Sequence, residues 1–127
     1  MAASAILALP FHAAALPVTI VDGFSVAPQG LQTEGIAFCP ASICGGDGTL
    51  FVSDGNVSGT TPVSEYTVTG VHIRDFSVPV GKGRGLHVLP NGNLLVTSSD
   101  GSGSVGEFTR DGVAVLGGGS INFSFSF

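Results

Sequence analysis

A chain of 127 residues has the length of one domain. Its 4 Lys and Arg stand against 9 Asp and Glu, a net charge of −5, so it carries no basic stripe able to neutralise a phosphate backbone, and nucleic acid is excluded as a partner. Hydrophobic residues make up 43%, ample for a core, and the 20 Gly recur between short apolar runs, as in an all-β protein with many tight turns.

The first segment, Met1 to Val21, is apolar and interrupted by Pro10 and Pro17. The run Ala5–Leu9 followed by Ala13-Ala14-Ala15 predicts a signal peptide over residues 1–15 with cleavage after Ala15, although no Lys or Arg precedes it. The stretch is shorter than the ~20 apolar residues of a spanning helix, so no membrane span is expected. The expected location is secreted or periplasmic. Val18–Val26 then reads as a strand ahead of the repeated part of the chain.

An internal repeat follows. Gly35-Ile36-Ala37-Phe38 returns as Gly85-Leu86-His87-Val88, 50 residues on. Gly48-Thr49-Leu50-Phe51-Val52-Ser53 returns as Gly92-Asn93-Leu94-Leu95-Val96-Thr97, 44 on, and Val63–Gly70 returns as Val105–Gly112, 42 on. The spacing shrinks where loops differ while the apolar positions stay aligned, as insertions in the loops of a structural repeat would produce.

Each unit reads as four strands: Gly35–Phe38, Leu50–Ser53, Ser64–Val68 and Val71–Val78, then Gly85–Leu89, Leu94–Ser98, Val105–Thr109 and Val113–Leu116. Pro90-Asn91-Gly92 and Asp111-Gly112 supply hairpin turns, with positive φ expected at both central residues. The matched pairs Ile36/Leu86, Phe38/Val88, Leu50/Leu94, Val52/Val96 and Tyr66/Phe108 are expected to be buried in both units. Ile121–Phe127 alternates strictly and reads as a further, half-buried or exposed strand.

Four short antiparallel strands every 42 to 50 residues is the period of a β-propeller blade. The fold class expected is therefore all-β, with propeller-like blades over about 34–78 and 84–117 forming an incomplete propeller within 16–127. A small β-sandwich or barrel is the alternative. Two blades cannot close a ring of 4 to 8, so self-association or remaining blades are the expected partners, and the ligand stays open.

Cys39 and Cys44 have no further Cys or His nearby to complete a metal site, and in an oxidising compartment they would close a small disulfide loop. No Ser sits in a G-x-S-x-G elbow, so no Ser/His/Asp set is recognisable. Gly81-Lys82-Gly83-Arg84-Gly85 looks like a phosphate loop but leads into no helix, and His12, His72 and His87 lie far apart.

Thr33-Glu34-Gly35-Ile36-Ala37-Phe38, Gly48–Asp54 and Val63-Ser64-Glu65-Tyr66-Thr67 resemble a blade of the NHL-repeat and gluconolactonase-like six-bladed propellers. Gly85–Val96 is similar to the next blade, and the likeness covers about Glu34 to Leu116. The resemblance implies a divalent cation such as calcium at Glu34, a hard oxygen ligand needing further oxygens. The family's next ligand, an Asn, is replaced by Arg84, and its catalytic Asp would fall in later blades. The leading expectation is thus an exported binding or structural module with no catalysis and no cofactor of its own. The alternative is a fragment of a metal-dependent, lactonase-like hydrolase.

Overall fold

The computed structural model describes residues 23–26, 32–99, 104–115 and 121–122. The signal-peptide segment 1–15, His12 and most of Val18–Val26 lie outside them. Gly23–Val26 is described and is not in a strand.

The chain is all-β. Strands β1 (Thr33–Cys39), β2 (Thr49–Asp54), β3 (Thr61–Thr67) and β4 (His72–Val78) form one antiparallel sheet in sequence order. β5 (Gly83–Val88), β6 (Leu94–Ser98), β7 (Ser104–Phe108) and the two-residue β8 (Ile121–Asn122) form a second. Each sheet is an open meander, and neither closes into a barrel. One helical turn, α1 (Ala41–Cys44), lies between β1 and β2.

Register confirms the repeat in three dimensions. Ile36 faces Val52 and Phe38 faces Leu50, as Leu86 faces Val96 and Val88 faces Leu94. The turns repeat too: the N–H groups of Gly70 and Gly112 donate to the carbonyls of Thr67 and Thr109, whose own N–H groups donate to the carbonyls of Val71 and Val113. Positive φ falls only on the glycine of each turn, at 86° for Gly70 and Gly92 and 82° for Gly112. Asn91 and Asp111 therefore do not take the left-handed conformation expected of them. These hairpins are three-residue loops ending in a left-handed Gly rather than two-residue type I′ turns.

The fourth strand of the second unit differs from expectation. Ala114 bridges Phe108, but the pairing with Ser104 and Val105 comes from Asn122 and Ile121. An eight-residue step from Ala114 to Asn122 faces a four-residue step on β7, so the edge is interrupted.

The two sheets stack with equivalent faces turned the same way. One side of the first sheet, carrying Ala37, Cys39, Phe51, Val63 and Val78, packs on the side of the second that carries Val88, Leu94, Val96 and Phe108. This corrects the expected core. Leu94, Val96, Phe108 and Val88 are buried in the second unit, and Val52 and Tyr66 in the first, but Leu50 and Leu86 are half-buried and Ile36 and Phe38 are 61% and 52% exposed. The second unit's matching face meets a preceding sheet, whereas the first unit's has none among the described residues except Phe24, whose ring lies 5.5 Å from that of Tyr66.

Cys39 and Cys44 are joined by a disulfide. It closes a very short loop, so on the chain-entropy account it stabilises by about 2 kcal/mol, less than the ~3 kcal/mol of a 15-residue loop. α1 within that loop sets Ile43 against the core shared by both sheets.

Candidate functional site

The two residues singled out before Gly35 and Gly85, Glu34 and Arg84, occupy the same structural place. The β1–β2 register shifts between Thr33 and Gly35, and the β5–β6 register shifts between Gly83 and Gly85. Glu34 and Arg84 are the extra residues of these equivalent bulges, and a bulge re-aims its side chain out of the sheet's alternation. Both reach the same edge, where Arg84 Nη1 lies 2.5 Å from Glu34 Oε2. The Arg84 Nε–H also donates to Ser99 Oγ at 2.8 Å.

This arrangement does not suit a hard cation at Glu34. Calcium takes six to eight oxygens, and here the neighbouring position supplies a guanidinium, which already holds the carboxylate. Among the described residues no group of three His, Cys, Asp or Glu side chains gathers.

A second constellation was invisible in the sequence. The β3–β4 register sets Ser64 opposite Asp75, and Ser64 Oγ donates to Asp75 Oδ1 at 2.6 Å. His72 Nε2 lies 2.9 Å from the same oxygen. The three residue types of a hydrolytic triad thus meet, but with the carboxylate in the centre. A triad needs the imidazole between serine and acid to take the hydroxyl proton; here that hydroxyl donates to the acid, and His72 is not placed to take its proton.

Asp75 titrates below the ordinary carboxylate range, first because of the Ser64 hydrogen bond and then because of His72, with burial opposing weakly. A depressed folded-state pKa contributes stability above the unfolded value and loses it as pH falls through the folded one. Asp75 is 60% exposed, so solvent screens the contribution and it is small. In a carboxyl-carbon NMR titration, Asp75 is expected to show a midpoint below that of a free Asp, and Ser64→Ala should raise it toward the ordinary value. An unchanged midpoint in that variant would remove Ser64 as the main cause.

A third polar cluster ties the sheets together. Glu65, 5% exposed, accepts from Thr49 Oγ1 at 2.9 Å and from the Arg74 Nε–H at 2.7 Å. Arg74 continues to Asp111 Oδ1 and to the Arg110 carbonyl in the second unit. Its guanidinium also lies 5.3 Å from the Phe76 ring centroid. The Arg74 pKa is raised by Glu65 first and Asp111 second, against a smaller burial effect. The counterpart of Glu65, Glu107, accepts from Asn93 Nδ2 at 2.7 Å, as Glu65 does from Thr49. Both glutamates thus bind the start of the neighbouring strand.

The remaining candidates are less furnished. Lys82 opens a loop that feeds β5, with its carbonyl accepting from Ser99 N–H. His87 is exposed on β5. Asn56, in an Asn-Val-Ser sequence, sits in an exposed turn. A shallow groove of 390 Å³ runs between the disulfide loop and Thr67–Thr69, and two of its hydroxyls, on Thr67 and Thr69, bond each other. No helix among the described residues is long and apolar enough to cross a membrane.

Compared with models of known families, with curated proteins and with solved structures, the chain matches none.

Proposed function

We propose that this chain is an exported, β-propeller-type binding or structural module with no catalysis of its own. The observation that carries the reading is the use made of its polar side chains. Glu34 is bound by Arg84, Glu65 by Thr49 and Arg74, and Ser64 by Asp75. Each cluster joins two strands or two sheets. The disulfide and the apolar N-terminal segment support export.

The competing reading, a fragment of a lactonase-like hydrolase, needs a cation at Glu34. Arg84 speaks against it, because an adjacent positive charge repels the ion and competes for its ligand. Calorimetric titration with calcium, and separately with zinc, is expected to show no stoichiometric binding. A one-to-one micromolar site abolished by Glu34→Gln would overturn the proposal in favour of the hydrolase.

A further inference from the structure

Among the described residues there are one sheet-on-sheet interface and both halves of a second. In the first, the Ala37 and Phe51 side of the first sheet meets the Val88 and Val96 side of the second. The first sheet's own counterparts of Leu86 and Val88 are Ile36 and Phe38, which point away from that interface and are 61% and 52% exposed. Phe24 covers only the far part of this face, over Tyr66. Two large apolar side chains on adjacent same-face positions of β1 therefore lack the cover that their repeats receive.

The opposite end of the stack carries the complementary surface. The second sheet's counterparts of Gly35, Ala37, Phe51 and Ser53 are Gly85, His87, Leu95 and Thr97, facing away from the core. His87 and Thr97 are exposed and Leu95 is half-buried. The glycine match is informative. A Cβ on Gly35 would come within 2.7 Å of the Arg84 carbonyl, so glycine there admits the backbone of the next sheet. At Gly85 the nearest atoms all belong to Thr97 of its own sheet, and the same approach is open to another chain.

Charge agrees with shape. Glu34 and Arg84 stand at equivalent bulges with opposite signs, so continued stacking sets each Arg84 beside the Glu34 of the next copy and never brings like charges together. The Arg84 side chain is 56% exposed and has guanidinium donors beyond those used by Glu34 and Ser99 among the described residues.

We propose that a second copy of this chain docks the His87–Thr97 face of its second sheet onto the Ile36–Phe38 face of the first, repeating the internal interface between molecules. The contact is heterologous, head to tail, and closes into a ring when the rotation per sheet allows. At the two described sheets per chain, the 4 to 8 sheets of closed propellers correspond to two to four copies. The junction is weaker than the internal one, because the short Leu89–Asn93 hairpin offers no equivalent of the disulfide loop and Ile43. The inference rests on reading the chain as a stack of like units.

Size-exclusion chromatography with light scattering, on the full chain over a range of concentrations, tests it. The expected result is a mass of two to four chains that falls to one on dilution. Ile36→Lys and His87→Glu, both at exposed positions, should each weaken association about tenfold or more, and the double variant I36K/H87E should regain it. Phe38→Ser and Thr97→Lys serve as a second pair should either first variant lose its circular dichroism signature. A monomer at every concentration would overturn the inference. So would association that Ile36→Lys weakens and His87→Glu leaves unchanged, since that marks a face-to-face contact. A stoichiometric calcium site would instead overturn the functional proposal and leave this one standing.

Discussion

Phe51→Ala should cost about 3–5 kcal/mol of folding stability, while Phe38→Ala in dilute protein should cost less than about 1. The two phenylalanines are on neighbouring strands of one sheet but on opposite faces. Phe51 is 0% exposed, with its ring edge-on to Phe76 at 6.2 Å and its side chain in the core between the sheets. Removing it leaves a cavity that two sheets pinned by hydrogen bonds cannot collapse into. Phe38 loses contacts on one side only, because the other already faces solvent. Urea or guanidinium unfolding followed by circular dichroism reads the difference. For a domain whose whole margin is ~5–15 kcal/mol, Phe51→Ala should also lower the thermal midpoint sharply. Equal losses at the two sites would mean that the face bearing Phe38 is the principal core, contrary to the stacking described.

The second large effect concerns a turn. Gly112→Ala should destabilise by at least about 2 kcal/mol, and Gly59→Ala by about 1. Both glycines have positive φ, 82° and 84°, so both substitutions carry the steric cost of a left-handed alanine. Only Gly112 adds a collision, since a Cβ there would lie within van der Waals distance of the Ser77 carbonyl in the other unit, while around Gly59 there is open space. The excess at Gly112 isolates the close approach between the Asp111 turn and β4, the same junction that the Arg74–Asp111 ion pair spans. It should appear in denaturant midpoints measured side by side. Identical losses would show that the turn does not seat against β4.

These two experiments touch what the sequence conveyed well and what it did not. Period-2 alternation correctly grouped Ile36 with Phe38 and Leu50 with Val52, and the spacing of the repeats gave the strand pairing that the register displays. Alternation says which residues share a face, however, and not which face finds a neighbour. Ile36 and Phe38 are expected inside because Leu86 and Val88 read the same way, yet among the described residues only the second unit has a sheet in front of it. Ala37, Cys39 and Phe51 make the core on the other side, and small Ala and Cys carry little hydrophobic signal of their own.

The site was legible in the same uneven way. Arg84 stood out as a departure from a cation-binding pattern, and its ion pair with Glu34 gives that departure a physical sense. Ser64, His72 and Asp75 could not be grouped beforehand, because only the β3–β4 register, with its shift between Glu65 and Tyr66, brings them to one place. The Glu65–Arg74–Asp111 chain spans two units and 46 residues of sequence, and no local motif marks it. The shared Thr67 and Thr109 turns, by contrast, fall within the repeat of Val63–Gly70 as Val105–Gly112.

The meander order of the sheets bears on how the molecule comes to be folded. Every long strand pairs with the strand next to it in the chain, so each pairing closes only a short loop and loses little chain entropy in doing so. A sheet of this kind can grow hairpin by hairpin from either end, with the Cys39–Cys44 loop tightening the first of them. The contacts distant in sequence are concentrated where the two sheets meet, at Ala37, Phe51 and Val63 against Val88 and Val96. Docking of the two sheets along that one apolar seam is then the step expected to limit the speed of folding, rather than strand pairing.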